Sequence, residues 1–309
     1  MQEKIGNVTL DYEYYPGEDL YSDGPVEEEL LEIAKNYQEK ELNQLIYERN
    51  SWPVLYHFSH IRQNILEWLP ITKEQNVLEI GSGCGPITGV LARKAKSVTC
   101  IDLSKMRSTI NAYRNRECDN VKIMVGNFQD VESSLTEKYD YITLIGVFEY
   151  SQGYIGTAQP YVEMLRRIAR HLAPGGRIVI AIENRLGLKY WAGCTEDHVG
   201  KYFEGLENYP DTRSVRTFSR KELSDIIDQA GAFKTTFYYP YPDYKFPMTI
   251  YSDKRLPKKG ELRDNFCNFD RNRIQLFNEG KVYDSLTDAG LFQEFSNSFL
   301  VIVERKENK

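Results

Sequence analysis

The sequence predicts an α/β protein built around a mostly parallel sheet that is covered by helices on both faces. Three observations predict it. From residue 76 onward, short apolar runs alternate with amphipathic stretches, the pattern of strands buried on both sides and separated by helices. The run Asn76-Val77-Leu78-Glu79-Ile80 ends in Gly81-Ser82-Gly83-Cys84-Gly85-Pro86, and Ser97-Val98-Thr99-Cys100-Ile101-Asp102 follows. Together these read as a strand, a tight glycine turn, a helix and a second strand closing on a carboxylate, a nucleotide-binding βαβ unit. Finally, 309 residues with 41% apolar content can bury a full core, and one enlarged domain is expected.

Residues 1–70 are expected to form an N-terminal helical cap, and residues 71–309 the main domain. A helix over 27–48 follows Asp23-Gly24-Pro25 and carries acidic residues in its first turn. A second helix over 53–69 places Val54, Leu55, Phe58, Ile61, Ile65, Trp68 and Leu69 on one face, as a segment that caps a ligand does. His57, Ser59, Arg62 and Asn64 lie off that stripe. Arg62 either meets a ligand carboxylate or stays exposed.

The sheet strands are expected at 76–80, 97–101, 121–125, 139–145, 177–182, 234–239 and 298–304. Helices fall near 86–95, 104–116, 159–172 and 219–230. Residues 184–218 and 240–297 are long insertions following strands. In open α/β sheets ligands bind beyond the carboxyl ends of the strands, so these insertions are expected to wall in the substrate.

Composition excludes several classes. A net charge of -6 offers no basic field for a phosphate backbone, so nucleic acid is disfavoured as a partner. The five cysteines (Cys84, Cys100, Cys118, Cys194 and Cys267) show no paired spacing, so they read as ordinary thiols and no metal centre is assigned. No apolar run is long enough to span a membrane, and Met1-Gln2-Glu3-Lys4 leads into polar sequence; a soluble, cytoplasmic protein is expected. Twenty-two tyrosines suit a sugar or polar small-molecule cleft, and equally an ordinary core.

The glycine spacing narrows the nucleotide. A dinucleotide turn needs G-x-G-x-x-G, whereas here Gly85 comes one position early, Pro86 takes the site of the third glycine, and Glu79 stands two residues before Gly81. This run resembles the first motif, E/D-x-G-x-G-x-G, of the class I S-adenosylmethionine-dependent methyltransferases, with Asp102 as the acidic second motif. The resemblance implies a doubly wound, seven-stranded Rossmann-like sheet with the last strand inserted antiparallel. It also implies S-adenosylmethionine as cofactor. That ligand has no pyrophosphate, so main chain must come close to it: Gly81, Ser82, Gly83 and Gly85 supply the approach. Asp102, followed by Leu103, is placed to accept from both ribose hydroxyls, and Glu79 orients the loop and the ligand's amino group. Asn127-Phe128 stands where the family carries an acidic residue for the adenine amine, with the Asn127 carbonyl as the substitute acceptor. Gly146 to Tyr150 is expected to floor the sulfonium. His171-Leu172-Ala173-Pro174-Gly175-Gly176-Arg177 resembles the structural turn entering the fifth strand.

A further pattern, Ile182-Glu183-Asn184-Arg185-Leu186-Gly187-Leu188-Lys189-Tyr190-Trp191, then Glu196-Asp197-His198, Arg216 to Arg220 and Tyr239 to Lys245, resembles a branch of methyltransferases found with bacterial surface-glycan and exopolysaccharide biosynthesis. This implies a saccharide acceptor; a small natural product or a peptide stays open. Methyl transfer is an in-line displacement, and a protonated hydroxyl is a poor nucleophile without a general base. His198 is the first candidate, its tautomer fixed by Asp197; Glu149 is the second and Glu183 the third. Glu196, Asp197 and His198 could instead hold a divalent ion or begin a solvated helix. His57 and His60 have metal-like spacing but no visible third ligand. A nicotinamide-dependent epimerase or reductase would need G-x-G-x-x-G and a helical Tyr-x-x-x-Lys, and the one instance, Tyr241 to Lys245, contains Pro242. A non-catalytic binding module is opposed by the intact Glu79, Gly81, Gly83, Gly85 and Asp102.

Overall fold

A computed structural model describes residues 1–19, 21–263 and 273–306. Its strands are β1 (Gln2–Ile5), β2 (Val8–Tyr14), β3 (Asn76–Ile80), β4 (Ser97–Asp102), β5 (Val121–Gly126), β6 (Tyr139–Ile145), β7 (Leu172–Glu183), β8 (Phe233–Tyr241), β9 (Thr249–Ser252) and β10 (Ser298–Arg305). The helices are α1 (Val26–Asn36), α2 (Leu42–Arg49), α3 (Trp52–Phe58), α4 (Asn64–Glu67), α5 (Thr88–Lys94), α6 (Lys105–Arg114), α7 (Phe128–Val131), α8 (Ser151–Tyr154), α9 (Pro160–Arg170), α10 (Leu188–Trp191), α11 (Arg220–Ala230), α12 (Glu279–Asp288) and α13 (Phe292–Phe295). The chain divides into two compact units, Met1–Leu144 with Arg167–Ile178, and Ile145–Arg166 with Val179–Lys309.

In the first unit the strands run in the order β1-β2-β5-β4-β3-β6-β7, with β7 entering as far as Ile178. Parallel register sets Val77 opposite both Val98 and Tyr141, Val98 opposite Val121, and Thr9 opposite Lys122. Val77, Leu78, Cys100, Ile101, Ile123 and Val125 are buried, the continuous apolar run that a sheet covered on both faces demands. Register also aligns the ends of β3, β4 and β5, since Ile80 pairs with Ile101 and Asp102 with Val125. The glycine turn and Asp102 therefore emerge side by side. Leu30 and Ile33 of α1, Leu42 and Leu45 of α2, and Val54 and Phe58 of α3 form one cluster with Cys84 of that turn and Ile110 of α6.

In the second unit the order is β7-β10-β8-β9. β10 lies between β7 and β8 and runs antiparallel to β8, with Leu300 opposite Tyr238. β9 continues the antiparallel pairing beyond β8.

Several expectations are corrected. Ten strands among the described residues replace the expected seven; the additional ones are β1, β2 and β9. Residues 1–70 are therefore not wholly helical. The helix expected over 27–48 is interrupted at Tyr37 and Gln38, both extended, and restarts from a capping box formed by Gln38 and Glu41. The helix expected over 53–69 breaks at Ser59, whose ψ of 128° is extended and whose hydroxyl accepts from the Ile61 amide. This break turns His57, Ser59 and Arg62 inward, and all three are buried. Cys84, Cys100 and Cys118 are free thiols, while Cys267 lies outside the described residues. Among the described residues no helix is long and apolar enough to cross a membrane.

Candidate active site

The turn after β3 is held by the Gly81 amide donating to the Ile101 carbonyl at 2.8 Å and the Gly85 amide donating to the Ser82 carbonyl at 3.0 Å. Gly83 and Gly85 both adopt left-handed backbone, φ +51° and +74°, but for different reasons. A Cβ on Gly83 would meet nothing within 4 Å, which leaves open space over the turn. A Cβ on Gly85 would lie 2.3 Å from the Asn111 Oδ1 of α6. The third glycine thus answers to helix packing rather than to ligand approach. Ser82, between Gly81 and Gly83, is buried, and its hydroxyl has no hydrogen-bond partner.

Asp102 grips the same turn. Its Oδ2 accepts from the Gly83 amide at 2.7 Å and its Oδ1 from the Ser104 amide at 3.0 Å. Burial pushes the carboxyl up, and those two amide bonds oppose the rise. Leu103 beside it is half-buried. Glu79 is buried beneath, accepting from Thr88 Oγ1 at 2.7 Å and from the Cys100 thiol at 3.4 Å. Burial drives its carboxyl up to about 7 despite these bonds. Asn127 caps α7, its Oδ1 accepting from the Gln129 amide at 3.0 Å, so the carbonyl expected to take an adenine amine already serves the helix. Phe128 is buried in the first turn of α7. Arg62 is buried as well: its Nη1 donates to the Tyr56 carbonyl at 3.2 Å, and the guanidinium lies 3.8 Å over the Tyr56 ring. Its Nε has no hydrogen-bond partner.

Sequence reasoning missed Asp19. Its carboxylate accepts from the amides of Lys105 and Met106 at 2.6 and 3.0 Å and from the Ser104 hydroxyl at 2.9 Å, capping α6 next to Asp102. Nothing in the local sequence signals a partner so far along the chain.

The second unit carries the candidate catalytic groups. Gly146, at φ +70°, donates its amide to the Ala181 carbonyl at 2.9 Å, and a Cβ there would lie 2.7 Å from the Tyr244 hydroxyl. Glu149, Glu183 and His198 converge although their sequence positions are scattered, with one ligand-type atom of each lying within 4.8 Å of the others. His198 Nε2 stands 3.4 Å from Glu149 Oε1 and 3.8 Å from Glu183 Oε2. The other ring nitrogen, Nδ1, lies 2.9 Å from Glu196 Oε1. Glu196 rather than Asp197 thus sets the ring, and it is itself pinned by the amides of His198 and Val199 and by the Tyr209 hydroxyl. Asp197 turns instead to Lys189 at 2.6 Å and Lys245 at 2.7 Å, and Lys245 also contacts Glu183. Burial opposes the imidazolium, but Glu183, Glu149 and Glu196 outweigh it and hold His198 well above the usual histidine range. Burial likewise opposes ionisation of Asp197, yet Lys189 and Lys245 hold it well below the usual carboxylate range. Burial raises Glu183, with Lys245 opposing. Glu149 and Glu183 are 1% and 0% exposed, and the Oε2 of each makes no hydrogen bond.

The remaining histidines are placed elsewhere. His57 is buried 3.6 Å from Asp23, whereas His60 is exposed with Nδ1 2.9 Å from the Asn43 side chain, so the two share no metal-binding face. His171 Nε2 is 3.3 Å from Glu132.

Comparison with known proteins identifies the fold. A family model described as a methyltransferase domain matches residues 55–234. An uncharacterized methyltransferase of Staphylococcus carnosus is 26% identical over 171 residues, covering 54% of this chain and 74% of that protein. Ribosomal RNA small subunit methyltransferase A of Listeria monocytogenes is 34% identical over 88 residues, spanning only 26% of this chain and 28% of the relative. Among solved structures, phosphoethanolamine N-methyltransferase 1 of Haemonchus contortus, in complex with phosphoethanolamine and S-adenosylhomocysteine, is similar at a TM-score of 0.50 and 15% identity. That match covers 93% of this chain and 52% of the other.

Proposed function

The chain belongs to the methyltransferase family whose model spans residues 55–234, and from that premise we propose that it methylates a hydroxyl of a saccharide or glycan precursor. Its cofactor is S-adenosylmethionine, which when bound supplies a methyl group already activated on a sulfonium. The residues of the first unit fit that ligand: open space over Gly83, an unpartnered buried hydroxyl on Ser82 and a carboxylate at the end of β4. In this reading Asp102 takes the ribose hydroxyls, Glu79 orients the turn and the amino group, and Arg62 faces the carboxylate. The observation that carries the catalytic half is the buried contact between His198 Nε2 and Glu149, with Glu149 Oε2 left without a hydrogen-bond partner. In this reading Glu149 accepts the acceptor's proton, and His198, 3.4 Å away, orients its carboxylate. The acidic net charge disfavours nucleic acid as the acceptor.

Screening nucleotide sugars and oligosaccharides, with S-adenosylhomocysteine formation as readout, tests the acceptor class. Turnover confined to peptides or small natural products would replace it. Glu149→Gln should lower kcat by about 10²- to 10⁴-fold while cofactor affinity is kept. Unchanged turnover would remove this cluster from the reaction.

A further inference from the structure

We propose that Glu149, Glu183 and His198 form a binding site for one divalent cation, of the manganese type, in the second unit. This goes beyond the proton-transfer reading and can be measured without any acceptor.

The first support is geometric. A cation bound by three such donors at about 2.0–2.3 Å sets them about 3–4.5 Å apart. His198 Nε2 already stands 3.4 and 3.8 Å from the two carboxylates, and the whole donor set fits within 4.8 Å. Only a small contraction is needed. The second support is unmet bonding. Glu149 and Glu183 are almost wholly buried, each with an Oε2 lacking any hydrogen bond, and one such orphan costs on the order of 1–3 kcal/mol. The Glu183 orphan Oε2 is the atom 3.8 Å from His198 Nε2, and Glu149 approaches the same nitrogen through Oε1 with its Oε2 unsatisfied, an arrangement that a cation satisfies.

The third support lies behind the ring. Metal-bound histidines as a rule donate their other nitrogen to a carboxylate or carbonyl, which fixes the tautomer. Here Glu196 holds Nδ1 at 2.9 Å, and the His198 and Val199 amides fix Glu196 in turn at 2.7 and 2.9 Å. Nε2 is thereby aimed at Glu149 and Glu183. The fourth support is charge. Glu149, Glu183, Glu196, Asp197 and Asp243 are gathered around Lys189, Lys245 and His198, so the acids outnumber the bases even with the imidazole protonated. Both ammoniums face Asp197, Lys189 also faces Asp243 and Lys245 also pairs with Glu183, so of the carboxylates beside the ring Glu149 is the one that neither lysine meets. One imidazole nitrogen and two carboxylate oxygens form a mixed donor set suited to an octahedral first-row ion. Such an ion keeps positions for water or substrate oxygens.

The test is equilibrium dialysis of the chelator-treated full chain against micromolar Mn²⁺, with the retained metal counted by elemental analysis and by its electron paramagnetic resonance signal. One equivalent per chain is expected. Glu149→Gln should weaken binding at least tenfold, and Glu196→Gln, which alters only a positioning residue, by about 10- to 100-fold. Circular dichroism of each variant establishes that it is folded, and Glu149→Gln removes no lysine partner, so its fold is the least exposed to damage. Absence of stoichiometric Mn²⁺, or full retention by folded Glu149→Gln, would overturn the site. If His198→Ala and Glu149→Gln lose turnover while the parent protein never holds an ion, proton transfer stands and this inference alone fails.

Discussion

Glu79 is a carboxyl poised at neutrality. Burial lifts it to about 7, the hydrogen bonds from Thr88 and Cys100 only partly opposing, so near pH 7 it is divided between charged and neutral forms. The consequences for stability and for binding have opposite signs. An acid whose pKa is raised by folding binds its proton more tightly in the native state, so stability falls as pH rises from the ordinary glutamate range through about 7, by a few kcal/mol at most, on the order of 3–4. The cationic amino group of the cofactor favours the ionised form, so cofactor affinity should rise over the same interval. Denaturant titrations at pH 5 and pH 7.5, with calorimetric cofactor binding at both, check the pair. Glu79→Gln should flatten both dependences, and a variant that kept the parental slopes would assign them to other groups.

At the scale of single elements, the glycine turn separates ligand from scaffold. Gly83→Ala forces left-handed backbone on a residue with a Cβ, at about 1–2 kcal/mol, yet that Cβ meets nothing. Gly85→Ala incurs the same strain and also drives a methyl into Asn111, whose amide is bonded to Thr88 and whose carbonyl accepts from Asn115. Thermal unfolding should show Gly85→Ala as the more damaging change, by about 1–3 kcal/mol of overpacking, with Gly83→Ala losing cofactor affinity instead. Equal melting temperatures would contradict this division. The strands and this turn were legible because buried parallel strands read as continuous apolar runs, as in Val77-Leu78 and Ile178-Val179-Ile180. β1 and β9 were not, because Gln2-Glu3-Lys4 and Thr249-Ile250-Tyr251-Ser252 are short and gain order from a neighbouring strand, and β2, whose Val8, Leu10 and Tyr12 alternate with polar residues, was missed within a tyrosine-rich polar stretch. The helix break at Ser59 was equally hidden: the apolar spacing continues through it, and only the hydroxyl's bond to Ile61 ends the turn. In the candidate site, Asp102 and Glu79 were visible in a motif, Glu149 as a carboxylate closing a strand, and His198 as a histidine in the acidic insertion after the fifth predicted strand. The roles of Glu196 and Lys245 were not, since Lys245 reaches Glu183 across 62 positions and no local pattern encodes that pairing.

Across the whole molecule, the chain passes between its two units three times, and β7 contributes Leu172–Ile178 to one and Val179–Glu183 to the other. Because β7 is shared, the two units are expected to unfold in one event. A ligand confined to the first unit then stabilises the entire chain. S-adenosylmethionine at 100 times its Kd adds about 2.7 kcal/mol, a rise of several degrees in the melting temperature of a single calorimetric transition. Asp102→Asn, which keeps the size of the side chain but removes its charge, should abolish most of that rise by weakening cofactor binding at least tenfold. The charge-assisted bonds to the ribose that it would lose are each worth about 1.5–3 kcal/mol. Two resolved transitions, only one of them responding to cofactor, would show instead that β7 does not couple the units. An undiminished shift in folded Asp102→Asn would show that the carboxylate serves only the Gly83 and Ser104 amides it already holds, and the ribose must then be bound by other groups.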